Sequence, residues 1–358
     1  MTLRTIARRT LFGAAAAIAA AAAARAAAQE PPRFGGSVEV RRILLEVRVV
    51  DAGGEPVPGL TADDFEVSIG GRQVAVESVS FVPTSAAAAA TAESAERPAA
   101  GPSVTAREPR LVVVLFQTDI NLYRIKGVVR MAPQAARFVR GLEAGDLVAL
   151  FTFESHLELR ADFTPDRDAV ARMLTTREIL SGSLEPPPVA EPAVGAFLDP
   201  EDADRAATLT EALEVIGRAL IPIPGPKSVV LFGWGLGRYN PGHPVIERGS
   251  YYPTIDALAA ARATVFTLDI TSADAHTLEA GLRTVSHDTG GLYIKTYQFP
   301  ESAVDKLTRT ISSYYELSLI PPEPPFDLEP FEVEVRRRGA EVYFRRSLPF
   351  AAAAADLG

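Results

Sequence analysis

The chain contains no cysteine, which excludes disulfide scaffolds, thiol catalysis and thiolate metal sites. Histidine is scarce and dispersed: His156, His243, His276 and His287 are the four in 358 residues. That is a poor stock from which to build a histidine metal cluster or a catalytic triad. Positive charge is in deficit, with 36 Lys+Arg against 45 Asp+Glu and a formal net charge of -9. Sequence-independent nucleic-acid binding needs basic surface that displaces counterions, so no nucleic-acid partner is expected. The Ala-rich stretch at the start is too short and too weakly apolar for a good bilayer span, so no stable membrane anchor is expected.

That start, MTLRTIARRTLFGAAAAIAAAAAARAAAQE, has a basic head, an Ala-rich run and a small-residue stretch ending at Ala28. It reads as a signal peptide over residues 1–28. Within it, Arg8-Arg9-Thr10-Leu11-Phe12 resembles a twin-arginine export signal, whose arginine pair is an address and not an anchor. An ordinary secretory signal with two chance arginines is the alternative. Cleavage would remove Arg4, Arg8, Arg9 and Arg25 and no acid, leaving a still more acidic chain, expected in the periplasm or outside the cell.

At roughly 150 residues per domain, the length allows about two domains. Residues 37–82 alternate as strands do: apolar runs at 43–50, 65–69 and 74–81 are separated by Gly53-Gly54 and Gly70-Gly71, both turn signals. Residues 83–109 are Ala, Ser, Thr and Pro without an apolar face and read as a flexible linker. From 110 to 312 the pattern changes to strand and helix in alternation. The runs 111–116, 147–153, 228–232 and 264–268 are short, rich in Val, Leu and Phe and without polar alternation, as strands covered on both faces should be. Helices are expected between and after them at 124–141, 167–176, 202–220, 255–263, 275–289 and 301–311. The proline-rich stretch 184–200 is read as a surface excursion.

Residues 313–347 return to alternation, with runs at 314–320, 331–337 and 341–346 and Arg338-Gly339 as a hairpin turn between the last two. Neither terminal strand group has a partner layer of its own. The fold class expected is therefore α/β: a doubly wound, mostly parallel sheet inserted in a β-sandwich-like module formed from the N- and C-terminal strands.

In such a sheet ligands bind at the carboxyl ends of the strands. The loops there read Gln117-Thr118-Asp119-Ile120-Asn121-Leu122-Tyr123, then Gly233-Trp234-Gly235-Leu236-Gly237-Arg238, then Leu268-Asp269-Ile270-Thr271. The glycine run lacks a phosphate-loop Lys-Ser/Thr and does not match GxGxxG. Ser155-His156 and Ser286-His287 are neighbours in sequence without a nucleophile elbow, so an envelope hydrolase is the least favoured class.

The order of elements resembles a von Willebrand factor A domain. The flanks resemble the bacterial A-domain-related family first described from acidobacteria, with Val50-Asp51-Ala52-Gly53-Gly54-Glu55-Pro56-Val57-Pro58-Gly59-Leu60 followed by Asp64-Phe65-Glu66-Val67. Leu142 to Ala149, the Thr289-Gly290-Gly291 turn and Tyr314-Tyr315-Glu316-Leu317 extend the likeness over 38–346. The resemblance implies a metal-ion-dependent adhesion site: an Asp-x-Ser-x-Ser loop after the first strand, a Thr and an Asp from two later loops, and a hard cation such as Mg²⁺ held by oxygen.

This chain departs from that pattern. The first loop offers Asp119-x-Asn121-x-Tyr123 or Gln117-x-Asp119-x-Asn121, the Thr position falls near Thr208, and the later Asp position falls at Gly233-Trp234-Gly235. Asp and Asn at a strand-to-helix turn also cap helices. The expectation is an exported, non-enzymatic protein-binding, adhesion or scaffold module with a degenerate site and no cofactor. It would bind a protein partner through Asp119, Asn121, Tyr123, Thr208, Trp234 and Arg238. The alternative is Mg²⁺- or Ca²⁺-dependent adhesion through a rearranged site, with Asp119, Asn121 and Thr208 as ligands.

Overall fold

The structure is a computed structural model and describes residues 42–84, 109–118, 125–238, 245–270, 276–320 and 330–346. Its central feature is a six-stranded sheet in the spatial order β10-β9-β8-β5-β6-β7. The strands are β5 (Leu111–Gln117), β6 (Leu147–Phe153), β7 (Leu157–Thr164), β8 (Lys227–Phe232), β9 (Ala263–Asp269) and β10 (Tyr293–Lys295). All neighbours run parallel except β6 and β7. Counted within the sheet, the order is 3-2-1-4-5-6, which reverses direction at its first strand and opens a crevice there.

β5, β6, β8 and β9 are buried along their whole length, in keeping with their richness in Val, Leu and Phe. Alternate residues of β5 serve two cores. Val113 and Leu115 pack with α5 (Leu209–Leu220), α6 (Arg248–Ala260) and α7 (Glu279–Thr289). Val112, Val114 and Phe116 pack on the other face with α1 (Ile125–Arg140), α2 (Arg167–Met173) and α8 (Pro300–Thr310). Two short helices complete the set, α3 (Thr176–Ser181) and α4 (Pro200–Arg205).

The terminal strands form two antiparallel sheets with their own core. One has the order β13-β1-β11-β4 and the other β12-β2-β3, built from β1 (Ile43–Val50), β2 (Phe65–Ile69), β3 (Arg72–Val74), β4 (Val76–Pro83), β11 (Ser313–Leu319), β12 (Phe331–Val335) and β13 (Glu341–Phe344). Tyr315 lies at the centre of their core. Its ring meets Phe65 edge-on and Phe81 at a tilt, and its hydroxyl donates to the Val57 carbonyl (2.7 Å) and accepts from the Leu60 N–H (3.2 Å). The requirement of a buried tyrosine is met here: the body packs among apolar rings and the polar tip is paired.

The α/β domain leaves the chain between β4 and β11, which are themselves paired, with Pro83 opposite Ser313. Below that neck, arginines join the two parts. Arg262 donates to Glu46 (2.7 Å), Arg345 to the Ala263 carbonyl (2.7 Å) and buried Arg48 to Thr264 (3.4 Å). Arg48 also lies 5.1 Å over the Phe266 ring. Gly290, at φ +81°, allows the close approach: a Cβ there would sit 2.6 Å from the Arg345 backbone nitrogen.

Four expectations are corrected. The helix expected over 202–220 is two, because the chain breaks at Ala206 and Thr208 starts α5 afresh. β7 and β10 are added at the sheet edges. The excursion at 184–200 contributes Val194, fully buried in the core, with its N–H and that of Gly195 held by the Asp162 carboxylate (both 2.8 Å). Finally, β12 and β13 do not form a hairpin: β12 pairs with β2 and β13 with β1, so Arg338-Gly339 carries the chain from one sheet of the sandwich to the other.

Candidate functional site

Because α-helices follow the parallel strands, the helix N-termini and the strand C-termini share one edge of the sheet. The residues expected to act there fall into three sets. Asp119, Asn121 and Tyr123 lie outside the described residues. Trp234 follows β8, and Thr208 and Arg238 meet elsewhere on the same edge.

The β5 and β8 ends are joined by a side chain. Gln117 is buried, and its Oε1 accepts from the backbone N–H groups of Trp234 (2.9 Å) and Gly235 (3.4 Å). Gly233 must be small for this contact, since a Cβ there would lie 2.8 Å from that same oxygen. Thr118 continues the lock by donating backbone and hydroxyl hydrogens to the Phe153 carbonyl (2.8 and 3.2 Å). Trp234 is half-buried.

Thr208 is the N-cap of α5. Its Oγ1 accepts from the Glu211 N–H (3.2 Å), and the Glu211 carboxylate accepts from the Thr208 and Ala207 N–H groups (2.9 Å each). This reciprocal capping box satisfies helix donors that have no partner within the helix. Thr208, Glu211, Arg238, Val245, Ser250 and Tyr251 line a cavity of about 260 Å³. Arg238 is exposed there, while the Tyr251 hydroxyl donates to Asp288 (2.8 Å). The structure thus brings Thr208 and Arg238 to one cavity, which Trp234 does not line.

The divalent ion implied by the A-domain resemblance needs oxygen ligands with negative charge. The described residues at its positions do not fit it. The Gly233-Trp234-Gly235 loop turns N–H donors toward Gln117 and carries no carboxylate. Thr208 and Glu211 are occupied with each other and with helix backbone.

A cluster that the sequence analysis did not assemble stands at the end of β9. Asp269, fully buried, ends the strand, and its Oδ2 lies 3.1 Å from His276 Nε2. Glu279, in the first turn of α7, places Oε1 3.8 Å from the same ring nitrogen. That carboxylate also accepts from the His276 backbone N–H (2.7 Å) and forms an ion pair with Lys295 of β10. Burial pushes the Glu279 carboxyl upward, but the Lys295 ammonium and the His276 N–H outweigh it and hold the group below the ordinary glutamate range. The signal in the sequence was His276-x-x-Glu279, two potential ligands at i and i+3 around a helix start, a short chain distance after a strand-ending Asp.

Side-chain pairs of hydrolase type do not converge at the described positions. Ser155 and His156 touch (3.2 Å) on an exposed turn. The buried Ser286 hydroxyl bonds to Thr267 (2.8 Å), while His287 faces Asp288 (3.4 Å). Among the described residues no helix is long and apolar enough to cross a membrane.

No protein-family model matches the chain, and no curated protein sequence matches it. Solved structures do overlap with it. A von Willebrand factor type A protein from Catenulispora acidiphila is 9% identical with a TM-score of 0.40, over 87% of this chain and 75% of that one. An aerotolerance-related membrane protein from Bacteroides fragilis is 15% identical with a TM-score of 0.38, over 56% of this chain and 98% of that one. The manganese-loaded TRAP protein of Plasmodium vivax is 9% identical with a TM-score of 0.37, over 75% and 96%. At these identities and scores no residue role is carried from those proteins to this chain.

Proposed function

We propose that this chain is an exported protein of the von Willebrand factor A type that binds a protein partner or serves as a scaffold, without a divalent ion at the usual A-domain position and without carrying out a reaction. The observation that carries the reading is the Gln117 contact. Where an adhesion site of this type draws its loops together through a cation, here a neutral carboxamide clasps the Gly233-Trp234-Gly235 backbone directly. A site so organised has no dehydration cost to recover from ligand charge.

The partner-facing edge would then present Trp234 and Arg238, an aromatic and a guanidinium of the kinds that dominate protein interfaces, with Asp119, Asn121 and Tyr123 on the neighbouring loop. Export rests on residues 1–28, with Arg8-Arg9 pointing to the twin-arginine route.

The test is thermal unfolding of the metal-stripped protein with and without millimolar Mg²⁺ or Ca²⁺ at fixed ionic strength. A ligand that binds only the native state raises the melting temperature, so the expected result is no shift beyond about 1 °C. A clear rise that Asp119→Ala abolishes would establish instead the rearranged cation site at Asp119, Asn121 and Thr208.

A further inference from the structure

We propose that Asp269, His276 and Glu279 form a binding site for one zinc ion at the C-terminal end of β9. The proposal is independent of how the Trp234 edge is used. One ligating atom from each of the three residues lies within 4.8 Å of the other two, with Nε2 of His276 3.1 Å from Asp269 and 3.8 Å from Glu279. Zinc bonds nitrogen and oxygen at about 2.0–2.2 Å in tetrahedral geometry, which places its ligand atoms roughly 3.3–3.6 Å apart. The two distances to Nε2 are within about half an ångström of that spacing, and the third is no more than 4.8 Å.

Proton accounting points the same way. Two carboxylate oxygens converge on a single ring nitrogen, which has at most one hydrogen to give. That hydrogen can serve Asp269 at 3.1 Å, and Glu279 is left facing the same nitrogen at 3.8 Å. Glu279 Oε1 has the His276 backbone N–H and the Lys295 ammonium besides, and a divalent ion would bind all three side chains at once.

Lys295 supplies part of that cation chemistry in the structure, its ammonium paired with Glu279 Oε1. It brings one positive charge to two carboxylates, from the end of a flexible four-carbon stem that is part-exposed. Zinc would displace it into solvent and leave the Glu279 oxygen free to ligate.

Donor type selects the metal. One imidazole nitrogen with two carboxylate oxygens suits zinc, whereas Mg²⁺ and Ca²⁺ prefer oxygen throughout. Supports on two sides fix the geometry: Asp269 is held by the sheet and Glu279 by the first turn of an 11-residue helix. The His276 side chain is 19% exposed, so the ion can enter from solvent, and three protein ligands would leave the fourth tetrahedral position to water or a ligand.

The experiment is a titration of the full, tag-free, metal-stripped chain with Zn²⁺ in competition with a chromophoric chelator. The expected result is one zinc per chain at micromolar or tighter affinity, unaffected by millimolar Mg²⁺. Asp269→Asn and His276→Gln should each weaken it at least tenfold, and Lys295→Met should tighten it several-fold by removing the competing ammonium. If Asp269→Asn, at the buried end, fails to fold, the part-exposed His276→Gln carries the test, with circular dichroism as the check on folding. Absence of a site, or a site that survives His276→Gln, overturns the proposal. Unchanged or weaker binding in Lys295→Met overturns the displacement of Lys295.

Discussion

Gln117 and Trp234 lie 117 positions apart in sequence, and the carboxamide oxygen of the first accepts the backbone N–H of the second at 2.9 Å. The bond ties the C-terminal ends of two adjacent parallel strands, β5 and β8, at the point where the sheet order reverses. It anchors the loop bearing the sole tryptophan, together with the backbone bonds from Gly233 to Leu268 (3.3 Å) and from Leu236 to Leu278 (3.2 Å).

Replacing Gln117 with Leu keeps the bulk and removes the acceptor, leaving the N–H groups of Trp234 and Gly235 without it. A buried donor left unsatisfied costs about 1–3 kcal/mol, so the urea midpoint should fall by that equivalent. Trp234 is the sole tryptophan, so its emission reports on this loop alone, and a red shift in native buffer is expected. Unchanged emission would mean that the loop is held by other contacts.

Lys227 gives a prediction in pH. Its side chain is buried and donates to the carbonyls of Ile223 and Ala261. Burial, with the Arg262 charge second, lowers the ammonium from 10.5 to about 8. Between those values the unfolded chain keeps a proton that the native chain has released, so this group makes native stability rise with pH from about 8 to 10.5. Lys227→Met removes the effect. The melting temperature of the native sequence minus that of the variant should therefore increase across the window, by on the order of a few degrees for a chain of this size. A flat or shrinking difference would falsify the assignment.

Deleting residues 321–358 removes β12 and β13. It strips β2 and β3 of their third strand, exposes one edge of β1, and takes Phe331 and Phe344 out of the sandwich core. Loss of one buried Phe costs about 3–5 kcal/mol, and two such losses rival the whole stability of a typical domain. The truncated protein should be insoluble or lack a cooperative melt in scanning calorimetry. A soluble product with an unchanged transition would show that the N-terminal strands fold without those two strands.

The parts of the fold legible in sequence are those where burial is complete. Leu111 to Phe116 carries no polar residue and Leu147 to Phe153 only Thr152, so their position inside the sheet could be read directly. β7 was not, because Glu158 and Arg160 break its apolar pattern at an edge where one face meets solvent. β10 is three residues long, too short to show a period. Thr208 fell inside the single helix expected over 202–220, yet its spacing to Glu211 is that of a capping box, and that local signal decides where α5 begins. Gln117 was beyond sequence reasoning for a different reason. Its partners are brought to it by the pairing of β5 with β8, not by chain proximity, and nothing in a Gln marks which backbone it will reach. The Asp269 cluster is local except for Lys295, and its His276-x-x-Glu279 spacing stood in the sequence.

The neck between β4 and β11 has a mechanical meaning. The chain enters and leaves the α/β domain at Pro83 and Ser313, directly opposite each other, with Thr84 donating its N–H to Ser312 at 2.7 Å just beyond. A load applied to that domain reaches the sandwich as a pull on the two adjacent ends of one antiparallel pair. Its hydrogen bonds run across the strands, so they open one after another, as in a zipper, and not together in shear. Once the arginine ties of Arg262, Arg345 and Arg48 have given, tension transmitted from a partner on the loop edge would peel β4 from β11 starting at Pro83.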